Sequence, residues 1–254
     1  MCRIFGFRSV MQSGVHRSLV SADNALVLQS ERHPDGWGVA YYVAGAPHVV
    51  KSAAAAVSDH LFRHVSGVVT SETVLAHIRK ATQGGIALEN THPFQRELWG
   101  RTWVFAHNGD LKQYAPRLHA GFRPVGDTDS ERAFCWLMQE LAKAHASVPS
   151  VAELSVTLRE LVPGIAAHGS FNFMLSNGQA LWAHCSTKLH WLVREHPFRS
   201  ARLADEDLSV DFSALTTPSD RVAVVVTEPL TADEQWNPLA PGELAVFRDG
   251  ARMI

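Results

Sequence analysis

Apolar residues recur along the chain at two spacings, alternate positions and three-or-four-residue steps, and these divide it into strands and helices. Residues 2–7, with Ile4 and Phe5, read as a first strand, and residues 8–17 as loop. Leu19, Ala22, Leu26 and Gln29 lie near one helical face, which predicts a helix from Ser18 to Gln29. His33-Pro34-Asp35-Gly36 is turn chemistry. Gly36–Val43 then reads as a strand and His48–Lys51 as its hairpin partner, with a short helix within Ala53–Phe62. Val74–Arg79 is an apolar strand that runs into a loop, Lys80–Gly85, containing two glycines. Glu89–Phe94 is irregular. Thr102–His107 is a further strand, ended by Asn108-Gly109-Asp110, a sequence that usually makes a tight turn.

The strongest amphipathic helix carries Phe134, Leu137, Met138 and Leu141 on one face, with Asp129 or Ser130 as its N-cap. A second begins at Ser150, with Glu153 completing a capping box, and is expected to stop at Pro163-Gly164. Phe171–Ser176 and Gln179–His184 flank Asn177-Gly178 as a hairpin. Leu189–Arg194, Val222–Thr227 and Glu243–Arg248 complete the strands, and Arg199–Asp220 reads as loop. Strands, two helices and strands again predict two antiparallel sheets with helices packed outside them, in one domain.

Composition narrows the partners. A formal net charge of −2 over 254 residues, with scattered basic residues, supports neither nucleic acid nor anionic membrane as a partner. Cys2, Cys135 and Cys185 cannot all pair and have no C-x-x-C spacing, which favours a reducing compartment. Neither a secretory leader nor an apolar run long enough to span a membrane is visible, so a cytoplasmic location is expected. His60 and His64 stand four apart, but Leu61 occupies the place where a zincin has Glu, so no metal is expected. No phosphate-cradling glycine signature occurs, and no cofactor is implied. Cys135 and Cys185 read as structural. Trp37, between two glycines, suits core packing or a pocket wall equally.

Four features together suggest amide cleavage by a thiol. Cys2 follows the initiator methionine. Removal of Met1 would leave a free α-amine, of pKa about 7.7–8.0, beside its own thiol. Taken alone, its position favours Cys2 as a small apolar residue at a strand start. The Asn108 side-chain amide and the Gly109 N–H could hold a tetrahedral oxyanion. Arg79 could grip an α-carboxylate and Asp129 an α-ammonium, bracketing an amino acid whose side-chain amide reaches Cys2.

The stretches Met1-Cys2-Arg3-Ile4-Phe5-Gly6, Asp35-Gly36-Trp37-Gly38, His77-Ile78-Arg79-Lys80-Ala81-Thr82, Thr91-His92-Pro93-Phe94, His107-Asn108-Gly109-Asp110-Leu111 and Asp127-Thr128-Asp129-Ser130-Glu131 occur in this order. With them the chain resembles the class II glutamine amidotransferases, of the N-terminal-nucleophile hydrolases. Thr227-Glu228-Pro229-Leu230, Trp236-Asn237-Pro238 and Pro241-Gly242-Glu243-Leu244 fit the stand-alone YafJ-like branch. The resemblance implies an α+β fold, a four-layer αββα sandwich, and one glutaminase domain over residues 1–254 without a fused synthase domain. It also implies a Cys2 γ-glutamyl thioester with release of ammonia, an oxyanion hole of Asn108 and Gly109, and substrate binding by Arg79, Thr82, His92 and Asp129. Many synthase-linked relatives carry Trp where this chain has Lys80.

The ammonia would pass to water or to a separate acceptor protein, and the oligomeric state is left open. Two other readings stand beside this one. A γ-glutamyl amide hydrolase acting on another small molecule would use the same residues. A catalytically silent binding protein would retain Met1.

Overall fold

The structure is a computed structural model that describes residues 2–196, 217 and 219–253. Alternation along β1 (Arg3–Gly14) sets the layering. Phe5 and Phe7 point into one buried cluster, while Ile4 points into another on the opposite face. Strand β1 lies inside a seven-stranded sheet. Its spatial order is β11 (Asn237–Pro238), β9 (His190–Glu195), β10 (Arg221–Val226), β1, β4 (Thr70–Ile78), β2 (Trp37–Val43) and β3 (Ala46–Ser52). A six-stranded sheet has the order β13 (Ala251–Arg252), β12 (Leu244–Arg248), β8 (Leu181–His184), β7 (Gly169–Ser176), β6 (Arg101–Leu111) and β5 (Phe94–Leu98). Neighbouring strands pair antiparallel throughout both sheets.

Each sheet buries its outer face under helices. Phe62 and Val65 of α2 (His60–Val68), with Leu26 and Val27 of α1 (Leu26–Gln29), pack on the seven-stranded sheet beside Trp37 and Phe5. Phe134, Leu137 and Met138 of α3 (Asp129–Ala144), with Leu154 and Leu158 of α4 (Val151–Ala166), cover the other sheet. The arrangement is the expected four-layer αββα sandwich. No helix among the described residues is long and apolar enough to cross a membrane.

Several element boundaries differ from the expectation. Strand β1 continues past Phe7 to Gly14, pairing again with β4 beyond an irregularity between Arg8 and Ser13. The helix predicted over Ser18–Gln29 is divided into a π turn, Arg17–Ser21, and the short α1. Asn24 causes the division: its backbone N–H donates to Leu230 O, and its side chain to Pro229 O. The short helix lies later than predicted, with Asp59 capping α2. Thr128, rather than Asp129 or Ser130, caps α3 by accepting the Glu131 N–H. The Ser150–Glu153 capping box is present, but α4 runs through Pro163 to Ala166, its last turn held by the buried Ile165. Strand β5 was not anticipated. The predicted loop Arg199–Asp220 lies outside the described residues, apart from Thr217, Ser219 and Asp220.

Between the sheets, Ile4, Leu75, Val104, Ala106 and Met174 form an apolar layer. Gly6 lets the sheets approach here, since a Cβ on it would lie 2.5 Å from Met174 Sδ and 2.9 Å from Leu181 Cδ2. Toward one end the layer turns polar. His77 is completely buried, and its Nε2 donates to His107 O at 3.2 Å. Its ring lies 4.2 Å from that of His92. Burial, reinforced by the positive charge of Arg79, pushes the His77 pKa down to about 3, so the ring is neutral at physiological pH.

Met174→Ala is expected to cost about 2–5 kcal/mol of stability in urea unfolding, because it leaves a cavity between two sheets that cannot both collapse. A loss under about 1 kcal/mol would show that this layer is loosely packed. A pH dependence also follows from His77. Its imidazole titrates near 6.5 when unfolded but at about 3 when folded. Between those values the unfolded chain binds a proton that the folded chain does not. The contribution of His77 is therefore complete above pH 6.5 and is lost as the pH falls toward 3. The single group adds a slope of up to about 1.4 kcal/mol per pH unit. Unfolding of His77→Gln between pH 6 and 4 should show a slope shallower by up to that amount, and an unchanged slope would contradict the assignment.

Candidate active site

Cys2 sits just ahead of β1, at the polar end of the layer between the sheets. It is 8% exposed, and its thiol is held against one residue. The Lys80 N–H donates to Sγ, and Sγ donates to Lys80 O, each at 3.3 Å. The register Arg3↔Ile78 between β1 and β4 brings these residues together. Burial pushes the thiol pKa up, opposed by the Lys80 N–H. Arg79 and Asp129 both act on this thiol electrostatically, Arg79 lowering its pKa and Asp129 raising it. Met1 lies outside the described residues.

Arg79 directly follows β4, and the turn before β2 fixes its backbone. The Arg79 N–H donates to Gly36 O at 2.8 Å, the Asp35 N–H to Arg79 O at 3.1 Å, and the Ala81 N–H to Asp35 Oδ2 at 2.8 Å. Its guanidinium is buried at 2% exposure and donates to the carbonyls of Gln83, Gly84 and Gly85. It forms no ion pair among the described residues. The loop it holds is latched at Gln83, whose Nε2 donates to Asp110 Oδ1 at 2.5 Å and to Leu111 O at 3.2 Å. Thr82, in the same loop, is exposed, with no side-chain hydrogen bond to the other site residues.

Asn108-Gly109 makes no turn. Both residues lie inside β6, paired with Asn172 and Phe171 of β7. The close approach of β7 selects glycine here, since a Cβ on Gly109 would lie 1.8 Å from Ser170 O and 2.4 Å from His107 Nε2. On the other side of β6, pairing with β5 ends at Phe94↔Phe105. The Asn108 carbonyl accepts from Asn172 Nδ2 at 2.9 Å, and the Asp110 N–H donates to Ser170 Oγ at 3.0 Å, so both turn toward β7. Alternation then turns the Gly109 N–H toward the edge that β5 has left open. Asn108 is 1% exposed; its Nδ2 donates to Thr227 Oγ1 at 3.3 Å, and its Oδ1 has no partner among the described residues.

Asp129 opens α3 at 4% exposure. Its Oδ2 accepts the Leu111 N–H at 2.8 Å, and it forms no ion pair among the described residues. Both sides of the site thus meet at Leu111, whose N–H holds Asp129 and whose carbonyl holds Gln83. The side chain of His92 is buried between His77 and Phe94, with neither ring nitrogen hydrogen-bonded among the described residues. Burial, with the charge of Arg79 among lesser causes, keeps it neutral.

The structure therefore gathers Cys2, Arg79, Asn108, Gly109 and Asp129 at one end of the sheet sandwich, with His92 packed against His77 and Thr82 exposed in the loop that Arg79 holds. Trp37 belongs to the outer core instead, its Nε1 donating to Asp59 Oδ2 at 2.9 Å. Cys135 and Cys185 are buried. His60 and His64 are exposed on α2, and the described residues contain no group of three or more His, Cys, Asp or Glu placed to hold a metal. Sequence reasoning did not assign roles to Asp35, Gln83, Asn172 or Thr227. Asn172 is the most connected of these. It holds the Asn108 carbonyl and Thr187 Oγ1 with Nδ2, and accepts the N–H groups of Ser186, Thr187 and Lys188 with Oδ1.

A family model described as glutamine amidotransferases class-II matches residues 1–254. The putative glutamine amidotransferase YafJ of Escherichia coli is 40% identical over 259 residues, with each chain fully covered. A solved structure of a predicted glutamine amidotransferase from Pseudomonas aeruginosa superposes with a TM-score of 0.73 at 37% identity, covering 100% of this chain and 96% of that one. A glutamine phosphoribosylpyrophosphate amidotransferase from Bacillus subtilis shares the fold, with a TM-score of 0.55 at 15% identity, over 99% of this chain and 48% of its own. By sequence and by fold, the chain belongs to the class II glutamine amidotransferases, a family of enzymes.

Proposed function

We propose that the chain works as one glutaminase unit that cleaves the side-chain amide of glutamine through Cys2. One observation carries the reading. Arg79 and Asp129 are buried charges of opposite sign, neither has an ion pair among the described residues, and both act on the Cys2 thiol. A buried charge without a counter-charge is costly. A free α-amino acid would supply both counter-charges at once, its carboxylate to Arg79 and its ammonium to Asp129. Its side-chain carbonyl carbon would then lie against Sγ.

The steps follow from that pose. Once Met1 is removed, the Cys2 α-amine takes the thiol proton, and Sγ attacks the amide carbon. The oxyanion is held by the Gly109 N–H, which faces the open edge of β6, and by the Asn108 amide. Collapse breaks the C–N bond, the α-ammonium returns its proton to the leaving nitrogen, and ammonia departs from a γ-glutamyl thioester. Water, deprotonated by the same amine, cleaves the thioester and regenerates the thiol with release of glutamate. His92 lines the pocket as a neutral wall beside Arg79, and Thr82 lies at its rim. An acceptor protein in place of bulk water would receive the ammonia without altering these steps.

Intact-mass spectrometry with a glutamine-like diazo-ketone label tests this directly. Loss of Met1 and one adduct, mapped to Cys2, are expected, with ammonia release from glutamine abolished in Cys2→Ala. Retained Met1 and no adduct would sink the reading, because Cys2 would lack its base. Product from other γ-glutamyl amides but not from glutamine would move the substrate and leave the chemistry standing. Arg79→Ala is expected to lower kcat/KM for glutamine by about 100-fold, the scale of a lost charge-assisted contact. Alkylation of Cys2 by iodoacetamide should change by less than about tenfold, since that reagent needs no carboxylate clamp. Equal loss of both would show a collapsed site rather than a lost substrate contact.

A further inference from the structure

Thr227 directly follows β10, a strand apolar from Val222 to Val226, and is 3% exposed. It pairs with Ile4, two residues from Cys2. The Thr227 N–H donates to Ile4 O, and the Ile4 N–H donates to Thr227 Oγ1, each at 3.1 Å. The same hydroxyl reaches across to the other sheet, where Asn108 Nδ2 lies 3.3 Å away. It thereby links the nucleophile strand of one sheet to the oxyanion strand of the other.

The hydrogen-bond count of this arrangement does not balance. Thr227 Oγ1 accepts twice, and its own proton has no acceptor among the described residues. Meanwhile Asn108 Oδ1 is buried without a donor among the described residues. A half-turn of the Asn108 amide corrects both faults within the same volume. The Ile4 N–H still donates to Thr227 Oγ1, the Thr227 hydroxyl donates to Asn108 Oδ1, and Nδ2 faces the other way with both protons free. A hydroxyl can give a proton to Oδ1, whereas Oδ1 can give nothing to an oxyanion. The orientation that satisfies Thr227 is therefore also the one that presents a donor to developing negative charge.

We propose that Thr227 is a positioning residue that sets the direction of the Asn108 amide, through the chain Ile4 N–H to Thr227 O–H to Asn108 Oδ1, so that Nδ2 serves the oxyanion. The proposal rests on the glutaminase reading for its consequence, but not for its hydrogen-bond geometry. A strand-end threonine that merely binds the Ile4 N–H would stabilise β1 whether or not Asn108 were present. A threonine that acts through Asn108 would matter only when the amide is there.

A double-mutant cycle separates these roles. Thr227→Val, similar in shape, is expected to lower kcat for glutamine by about 10- to 100-fold, less than the roughly 100- to 1000-fold seen when an oxyanion donor is lost outright because the amide is misdirected rather than removed, with KM changed less than about twofold. Thr227→Ser should retain most of kcat. In an Asn108→Ala background, Thr227→Val should lower kcat by less than a further factor of about two. Thr227→Ala replaces Val in the cycle if the Val variant does not fold. Full kcat in Thr227→Val, or an equal loss in both backgrounds, would overturn the proposal. A neutron structure of the unmodified protein tests the geometry independently of turnover. A Thr227 deuterium directed at Asn108 Oδ1 is expected, and an Nδ2 deuterium directed at Thr227 Oγ1 would overturn the proposal. Absence of turnover in wild type, with the expected deuterium in place, would count against the glutaminase reading alone.

Discussion

Strand β5 is shorter than the strand it pairs with, and the Cys2 end of the molecule depends on that mismatch. Pairing ends at Phe94↔Phe105, while β6 continues to Leu111. Backbone groups buried on an abandoned edge must find other partners or remain unpaired at a cost. Side chains from distant parts of the chain meet this demand. His77 donates to the His107 carbonyl, Asp129 accepts the Leu111 N–H, and Gln83 donates to the Leu111 carbonyl. The Gly109 N–H lies between these anchored positions and faces the same edge. An interrupted ladder thus fixes Asp129 and the Gln83 loop in place, and it points a backbone donor into the space between them.

That space is electrically prepared without being balanced. Among the described residues Arg79 donates to the carbonyls of Gln83, Gly84 and Gly85, and Asp129 accepts chiefly the Leu111 N–H. Dipoles lower the cost of each buried charge but do not neutralise it. The nearby imidazoles add no further charge, because burial lowers the pKa of His77, His92 and His107 alike. The site therefore presents one fixed positive and one fixed negative end, a pattern suited to a zwitterion of defined length.

Local chemistry made much of this legible in the sequence. The amphipathic stripe of α3, the capping box at Ser150 and the Asn177-Gly178 hairpin each follow from a few adjacent residues. Glycine at 178 supplies the positive φ that its turn needs. The same local logic misread Asn108-Gly109. That pair favours a turn in isolation, yet the close approach of Ser170 makes glycine necessary inside a strand, and an approach from 61 residues away leaves no local trace. Asn24 likewise breaks a helical pattern through partners at Pro229 and Leu230. Asn172 and Thr227 went unassigned because their work is to join segments far apart in sequence. An asparagine or threonine in an apolar strand gives no sign of whether it is a packed exception or a hub.

The state of the Cys2 thiol bears on which group can activate it. Its described hydrogen-bond partners are the Lys80 N–H and carbonyl, neither of which can act as a base. The three buried histidines nearby are committed elsewhere or do not reach it. His107 bonds Ser130 and Ser170, His77 bonds the His107 carbonyl, and His92 packs between rings. Burial also holds the thiol in its neutral form, so it needs a proton acceptor at the moment of reaction. An α-amine on Cys2 itself needs no space between the sheets and no further element to carry it, and near neutral pH it is poised to accept a proton. A site that packs its imidazoles neutral and hydrogen-bonds its thiol only to backbone suits a nucleophile that carries its own base.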